Sequence, residues 1–225
     1  MHLDDSPDLE VARLGALQRY NILDTPPEAE FDDLARLAAN ICHAPIAAIS
    51  LLDGERQWLK AAIGLSFRET PIDIAICKHA LLQKGVFVVQ DTASDPRFQN
   101  NPLVSEAPHL RFYAGALLES SEGLPLGTLC VWDYQPRQLT EAQTEALSIL
   151  SRQVMHLLEL RLSRARLQET LQTISDAFFT LDHGCRFTYV SPLAEALLKV
   201  NGPQLLGRLV WDESSLGKND GFAGE

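Results

Sequence analysis

The apolar run from Pro45 to Leu52 limits the possible folds of this chain more than any other feature. Its residues are alanine, isoleucine and leucine apart from the leading proline, and Ser50 is its one polar side chain. A strand that is apolar on both faces is typical of the middle of a sheet. Asp53-Gly54 then supplies a tight turn, and Gln57 to Ile63 follows as the hairpin partner. The sequence therefore predicts an antiparallel sheet with this run near its centre.

Helices and further strands surround the hairpin. A loose apolar stripe predicts a first helix from Leu9 to Ile22. Thr25-Pro26-Pro27-Glu28 has the spacing of a capping box, so a second helix is expected to begin there with Thr25 as its cap. Short runs predict the remaining elements, namely a helix over Ala75–Leu82, strands over Val86–Val89, Phe112–Leu118 and Gly127–Trp132, and a polar loop over Asp91–Pro108. Strands joined by hairpins, with helices on one side, are typical of an antiparallel α+β fold.

A long helix follows the last of these strands. Thr140 and Gln143 have the spacing of a second capping box, and no glycine or proline occurs between Gln138 and Asp182. Apolar residues recur at the spacing of a coiled-coil seam at Leu147, Leu150, Val154 and Leu157. The stripe resumes out of phase at Leu160, Leu167, Leu171 and Ile174. Two interpretations stay open: a helix packed along its own domain, and a parallel dimer helix.

The residues after this helix predict a second, smaller unit. Short strands are expected over Phe178–Leu181 and Phe187–Val190, and a helix over Pro192–Val200. Two strands and one helix bury too little surface to fold alone, so an incomplete domain is expected. We divide the chain into a core domain over residues 1–139, a linker helix over residues 140–173 and an incomplete domain over residues 174–225.

Charge and composition exclude several classes of protein. The formal net charge of −11 argues against a nucleic-acid-binding surface. No apolar run is long enough to span a bilayer, and the acidic start of the chain has no export signal. The four cysteines stand singly, with no C-x-x-C pair, as free thiols do in a reducing compartment. We therefore expect a cytoplasmic protein without nucleic-acid or membrane partners.

Several short motifs mark the first part of the chain. They are, in order, Tyr20-Asn21-Ile22-Leu23-Asp24-Thr25, Arg56-Gln57-Trp58-Leu59-Lys60, Glu69-Thr70-Pro71, Asp95-Pro96-Arg97-Phe98, Arg111-Phe112-Tyr113-Ala114-Gly115 and Gly127-Thr128-Leu129-Cys130-Val131. In their order and spacing they resemble one subgroup of bacterial GAF sensor domains, from about Leu14 to Leu160. The resemblance implies a central antiparallel sheet with helices on one side and a small-molecule pocket on the other.

A second group of motifs lies near the end of the chain, at Phe187-Thr188-Tyr189-Val190-Ser191-Pro192 and Leu206-Gly207-Arg208. With them, Asp176 to Trp211 is similar to the first half of a PAS domain. GAF domains usually precede a histidine kinase, a diguanylate cyclase or a similar output, and no output motif is visible here. The resemblance implies a non-catalytic sensory module, with no cofactor. It would bind a small ligand and signal through a homodimeric helix from Thr140 to an output domain or partner kinase.

Five apolar or weakly polar residues are candidates for the ligand pocket. Cys77 and His79 place a thiol near an imidazole on the short predicted helix, where they suit redox sensing or ligand contact. Phe98 and Tyr113 are expected to line or close the pocket. Trp58 is expected either over the ligand, because a large ring with a polar atom suits a pocket wall, or in the core.

Three charged candidates surround the long polar loop. Arg97 and Arg111 are placed to clamp a carboxylate or phosphate of the ligand, and Asp91 lies near them in the sequence. The alternative is structural, with the two arginines pairing to Asp91 and Asp95 to hold the loop in place. Both interpretations stay open at this point.

Other chemistries are weighed against this one. Cys77 suits a redox or chromophore-linked receptor. A reductase of free methionine sulfoxide would instead use Cys42, Cys77 and Cys130. The motifs typical of bilin-binding, reductase and cyclic-nucleotide-binding GAF domains are not found in this sequence. Cys42-His43 and Cys77 with His79 supply zinc-type ligands at a spacing typical of no zinc site. No metal site and no catalytic residue are therefore predicted.

Overall fold

The structure is a computed structural model that describes residues 7–173 and 176–211. The chain divides into two compact units, with the boundary between Leu162 and Ser163. Ile174, predicted to continue the apolar stripe of the long helix, lies outside the described residues, as does the chain after Trp211.

Among the described residues, the first unit contains six strands, four whole α-helices, a 3-10 turn at Ile72–Ile74 and the greater part of a fifth α-helix. The helices are α1 (Pro7–Arg19), α2 (Ala29–Cys42), α3 (Cys77–Ala80), α4 (Pro102–Ser105) and α5 (Glu141–Thr173), the last of which continues into the second unit. The strands are β1 (Ile46–Leu52), β2 (Arg56–Ile63), β3 (Glu69–Pro71), β4 (Val86–Val89), β5 (Phe112–Glu119) and β6 (Pro125–Asp133).

The six strands form one open antiparallel sheet in the order β3-β2-β1-β6-β5-β4. The predicted α+β class, the hairpin and the central place of the apolar run are confirmed, because β1 is the third of the six strands. β3 was not predicted. It has three residues, of which only Thr70 is buried, so its sequence carries no periodic signal.

The sheet has two differently covered faces. On one, Ala47, Ile49 and Leu51 of β1 share a core with residues of α1, α2 and α5, and we call this the helix face. On the other, Ile46, Ala48 and Leu52 share a core with residues of α3, α4 and the polar loop, and we call this the α3 face. Because both faces are buried, β1 is apolar along nearly its whole length.

Helix α5 begins at the predicted capping box. Thr140 N donates to Gln143 Oε1 (3.0 Å) and Gln143 N donates to Thr140 Oγ1 (3.2 Å). Leu147, Leu150 and Val154 are buried in the core of the helix face, so this part of the seam packs along its own domain. Farther along, Leu160 and Leu167 are exposed. Within the described residues, no helix combines the length and apolar character needed to cross a membrane.

The first predicted capping box is wrong. Helix α2 begins at Ala29, with Glu28 in the capping position and no side-chain cap. Thr25 Oγ1 instead donates to the carbonyl of Ile22 at 2.6 Å. The reason is Lys60, whose ammonium takes Thr25 Oγ1 (2.9 Å), the carbonyl of Pro26 (2.7 Å) and Glu28 Oε1 (2.6 Å) as acceptors.

Lys60 reaches these acceptors because of a β-bulge. Ile49 pairs with Ala61 and Ser50 pairs with Leu59, which leaves Lys60 as the extra residue of β2. Its side chain is fully buried, and its Nζ lies 5.3 Å from the centre of the Phe31 ring on the helix face. A buried ammonium is tolerated only when its hydrogen bonds are made, and here three acceptors meet it.

The second unit is small. Strands β7 (Phe179–Leu181) and β8 (Phe187–Val190) pair antiparallel, and helices α6 (Pro192–Leu198) and α7 (Gly202–Leu205) follow. Ser191 caps α6 by accepting a hydrogen bond from Ala194 N (3.2 Å). The buried core consists of Phe187, Val190, Ala194 and Leu205. The described elements agree with the predicted strands, and the PAS assignment stays a prediction.

Replacing Lys60 tests the role of its buried ammonium. Lys60→Met keeps the apolar stem but leaves the Thr25, Pro26 and Glu28 acceptors without their common donor. We expect the free energy of unfolding in urea to fall by about 3 kcal/mol. The control, Lys84→Met at an exposed position, should change it by less than about 0.5 kcal/mol. Equal effects of the two substitutions would contradict this role.

Candidate functional site

The α3 face carries a group of buried polar side chains at its centre. Ser50 of β1, Tyr113 of β5, and Thr128 and Cys130 of β6 alternate with residues that belong to the helix-face core. Cys77, the first residue of α3, is placed against them and is fully buried. We call these five residues the thiol–hydroxyl cluster.

Hydrogen bonds involve three members of the cluster. Tyr113 Oη and Thr128 Oγ1 lie 3.3 Å apart, and Cys130 Sγ donates to the carbonyl of Ala48 at 3.5 Å. The Tyr113 hydroxyl lies directly over Gly115, where a side chain would collide with it. Glycine at this position therefore lets the tyrosine lie across the sheet and reach the cluster.

The cluster shifts the titration of its own thiols in opposite directions. Burial raises the pKa of the Cys77 thiol, but hydrogen bonds from Cys130, Thr128, Tyr113 and Ser50 outweigh it and lower that pKa to about 7. Burial, the hydrogen bond to Cys77 and the charge of the Cys77 thiolate raise the pKa of Cys130 well above its ordinary value. If one sulfur of the pair carries a negative charge, it is therefore that of Cys77.

Several buried polar atoms on the same face have no hydrogen-bond partner within the described part of the chain. They are Ser50 Oγ, Gln57 Oε1 and Nε2, Thr70 Oγ1 and Trp132 Nε1. Although Ser50 lies close enough to affect Cys77, its hydroxyl makes no hydrogen bond of ordinary geometry.

These atoms share one face of the sheet. Trp132 belongs to the α3-face core, and Gln57 pairs across β1 with Leu52 of that core and across β3 with Thr70. Residues directly opposite one another in a ladder point to the same face. An unpaired buried polar group costs about 1–3 kcal/mol. Their concentration on one face makes the α3 face the candidate site of this domain.

The polar loop is fastened by two ion pairs. Arg111 donates from Nε and Nη2 to the two oxygens of Asp91, at 2.8 and 2.9 Å. Arg97 donates in the same way to Asp95, at 3.0 and 2.6 Å. The hydrogen bonds from Arg111 lower the pKa of Asp91 to about 2. The structure thus shows the internal pairing that was one of the two interpretations of these arginines.

Aromatic side chains form a chain over the α3 face. The ring of His79 meets that of Phe98 edge-on at 4.9 Å, and Phe98, Phe87, Tyr113 and Trp132 follow at centroid separations of 5.8 to 6.4 Å. The guanidinium of Arg97 lies 5.1 Å from the ring centres of both Phe87 and Phe98. The loop pairs and the aromatic chain therefore close this face together.

The structure brings some of the predicted pocket residues together and separates others. Cys77, Phe98 and Tyr113 share the α3-face core, and His79 contacts Phe98. The charged candidates Asp91, Arg97 and Arg111 lie in or beside the polar loop. Trp58 lies in the core of the helix face, on the other side of the sheet.

Sequence reasoning did not name Ser50, Gln57, Thr70 or Thr128 as site residues. For Ser50 a signal existed, because it is the one hydroxyl in an apolar strand that is buried on both faces. Gln57 gave no such signal, since its face depends on the bulge at Lys60.

No described set of three or more His, Cys, Asp or Glu side chains is arranged to hold a metal ion. The zinc-type alternative fails on geometry, because Cys42 lies in the helix-face core and Cys77 in the α3-face core. The two cysteines are thus on opposite sides of the sheet, and no common ion can bind both.

A separate groove lies on the helix face, between the end of β5 and helix α5. Its volume is about 470 Å³. At one end Tyr20 Oη donates to Glu159 Oε1 at 2.5 Å, and burial together with this bond raises the pKa of Tyr20. The side chains along the groove include Glu119, Ser120, Ser148, Ser151, Arg152, Met155 and His156.

Comparison with known proteins bears on the first unit. The family model for the GAF domain matches residues 26–158. A cyclic di-GMP phosphodiesterase of Pseudomonas aeruginosa is 43% identical over 150 residues. The alignment covers 66% of this chain but 26% of that protein, so the chain spans about a quarter of this relative's length.

Solved structures align with the chain at low identity. The GAF domain of an Acinetobacter phosphoenolpyruvate-protein phosphotransferase is 17% identical, with a TM-score of 0.47, over 73% of this chain and 99% of that one. A free methionine-R-sulfoxide reductase of Neisseria meningitidis is 19% identical, with a TM-score of 0.48, over 73% and 96%. Likenesses at this level decide nothing about activity.

The Asp91–Arg111 pair makes a testable contribution to acid stability. Because the pKa of Asp91 lies below its value in an unfolded chain, the stabilisation is complete above about pH 4 and is lost as the pH falls towards about 2. In Arg111→Met we expect the pKa of Asp91, followed by carboxyl NMR, to rise from about 2 towards about 3.9. Arg36→Met, which breaks an exposed pair with Asp33, is the control and should leave it unchanged. An unaltered Asp91 pKa in Arg111→Met would refute the assignment.

Proposed function

The chain belongs to the GAF domain family, since the family match covers more than half of its residues, and on that premise we propose that it is a non-catalytic sensory module of bacterial signal transduction. Its ligand is a small molecule that binds on the α3 face. The observation that carries this proposal is the concentration of unpaired buried polar atoms on that face, beside the thiol–hydroxyl cluster.

The chemistry of the ligand follows from these unpaired atoms. They belong to two hydroxyls, one amide and one indole, and none of them is charged. The charged candidates of the loop, Asp91, Arg97 and Arg111, are already in ion pairs. The buried part of the ligand is therefore uncharged, and it both donates and accepts hydrogen bonds. Cys77, His79, Phe98 and Tyr113 form its surroundings, while Asp91, Arg97 and Arg111 hold the loop closed.

The relay to an output runs through α5. Its first part is fixed to its own domain by Leu147, Leu150 and Val154. Arg161 donates to Glu28 Oε1 at 2.6 Å, and the same oxygen accepts from Lys60. The ligand acts by binding two arrangements of the domain unequally, since equal binding would change nothing.

The module regulates an output and is not itself a catalyst. The name of the P. aeruginosa relative concerns a much longer protein, and the region shared with this chain is of GAF size. We propose a cytoplasmic setting and an output in cyclic di-GMP turnover or phosphoryl transfer, of the diguanylate cyclase, phosphodiesterase or histidine kinase kind. In this proposal the PAS-like residues lie between α5 and that output along the sequence.

Ligand binding is tested with Gln57→Met, which removes both unpaired amide atoms from the α3 face. Native mass spectrometry of gently purified wild-type protein should show a bound small molecule that the variant lacks. After unfolding and refolding without ligand, the variant should be more stable than wild type by about 1 kcal/mol, because a buried unpaired amide is gone. Gln83→Met, at an exposed position, is the control and should behave as wild type in both measurements. A refolded Gln57→Met protein less stable than wild type would contradict a ligand-reserved amide.

Dimerisation through α5 is tested at its exposed leucines. Leu160 and Leu167 are 48% and 61% exposed and lie one heptad apart. Sedimentation velocity should show a wild-type homodimer. In the double variant Leu160→Glu with Leu167→Glu, the dissociation constant of the dimer should rise at least about tenfold. Ala165→Glu, an exposed change on the far side of the helix, should leave the dimer intact. A wild-type protein that stays monomeric at high concentration would rule this relay out.

A further inference from the structure

Two of the four cysteines meet in the folded protein although they are far apart in sequence. Cys77 begins α3 and Cys130 lies in β6, and both belong to the buried core of the α3 face, where each thiol affects the titration of the other. Both side chains are fully buried. Cys42 lies on the helix face, on the other side of the sheet from this pair, and Cys185 belongs to the second unit.

The surroundings of the pair suit a charged sulfur. The hydroxyls of Tyr113 and Thr128 belong to the same cluster as Cys77, and hydrogen-bonding groups around a sulfur stabilise a thiolate relative to a thiol. Cys130 keeps its proton, which it donates to the carbonyl of Ala48. One sulfur is thus prepared as a nucleophile, and its neighbour is in reach to react with the product.

We propose that Cys77 and Cys130 are a redox pair that a hydroperoxide converts to a disulfide. The Cys77 thiolate attacks one peroxide oxygen, so an S–O bond forms as the O–O bond breaks, and the leaving oxygen takes a proton. Cys130 then attacks the sulfenic sulfur, the S–S bond forms, and the hydroxyl leaves as water with the Cys130 proton. Two thiols lose two electrons, which reduce the peroxide to water and, for an organic peroxide, an alcohol.

The disulfide would fasten α3 to the sheet. α3 is a single helical turn with no side-chain cap, and it covers the thiol–hydroxyl cluster. Because both sulfurs are buried, the oxidant reaches them when this turn opens, and the new bond then prevents further opening. Oxidation thereby holds the α3 face closed. This inference goes beyond the proposed function, since it requires no ligand.

The test exposes the reduced full chain to hydrogen peroxide without any ligand, in a Cys185→Ser background that removes the most accessible thiol. Peptide mapping without reduction should find Cys77 joined to Cys130, with the mass of the protein lower by about 2 Da. Dithiothreitol should restore the starting mass. Amide hydrogen exchange over Cys77–Ala80 should be about tenfold slower in the oxidised protein than in the reduced one.

Variants separate the two half-steps. Cys130→Ser should lose the crosslink and accumulate a sulfenic acid at Cys77 that dimedone traps, whereas Cys42→Ser should crosslink as fully as its parent. The unsubstituted protein gives an answer even if Cys130→Ser does not fold. The proposal is overturned if Cys77 and Cys130 remain thiols at a peroxide dose that oxidises Cys185 in the unsubstituted protein, or if Cys77 passes to sulfinic acid without a crosslink. Either result leaves the ligand proposal standing, because no ligand takes part.

Discussion

The buried ammonium of Lys60 is the interaction on which the arrangement of the first unit depends. It gathers Thr25, Pro26 and Glu28 in front of α2, and Glu28 in turn accepts from Arg161 of α5. One cation thus joins three parts of the chain: the segment that leads into α2, a strand near the sheet centre and the last turns of α5 within the unit. A buried ammonium without these partners would strongly destabilise the fold. The three acceptors are therefore held in place around it.

The two faces of the sheet differ in composition. The helix face has an apolar core that fixes α5 along the domain, and polar side chains that contact it, such as Lys60 and Tyr20, have hydrogen-bond partners. The α3 face combines apolar residues with thiols, hydroxyls and unpaired polar atoms. A core that served only stability would not retain Gln57 and Trp132 with unpaired atoms, because apolar residues of similar shape would cost less. The face that is less well satisfied is the one where function is expected.

Local rules predicted the parts of the fold that depend on neighbours in sequence. The β1–β2 hairpin and the Thr140 capping box are such parts, since a turn dipeptide and a three-residue spacing carry the information. The Thr25 capping box has the same local pattern and failed, because Lys60, distant in sequence, bonds to its hydroxyl. The place of Trp58 was equally beyond local rules. Ala61 lies on the helix face, and strict alternation from it along β2 would place Trp58 on the α3 face. Because Lys60 is an extra residue in the strand, the alternation shifts by one and Trp58 lies on the helix face instead.

The same bulge therefore decides which residues of β2 lie on each face of the sheet. Without it, Gln57 would face α1 and α2, and the lysine would point into the α3 face, away from Thr25, Pro26 and Glu28. With it, Gln57 joins the unpaired groups of the α3 face and Lys60 reaches Glu28. Ser50, the hydroxyl nearest to the bulge on β1, belongs to the thiol–hydroxyl cluster. Ser50 and Gln57 on the α3 face thus lie close in sequence or in the ladder to the bulged Lys60, whose partner Glu28 also accepts a hydrogen bond from Arg161 of α5 on the helix face.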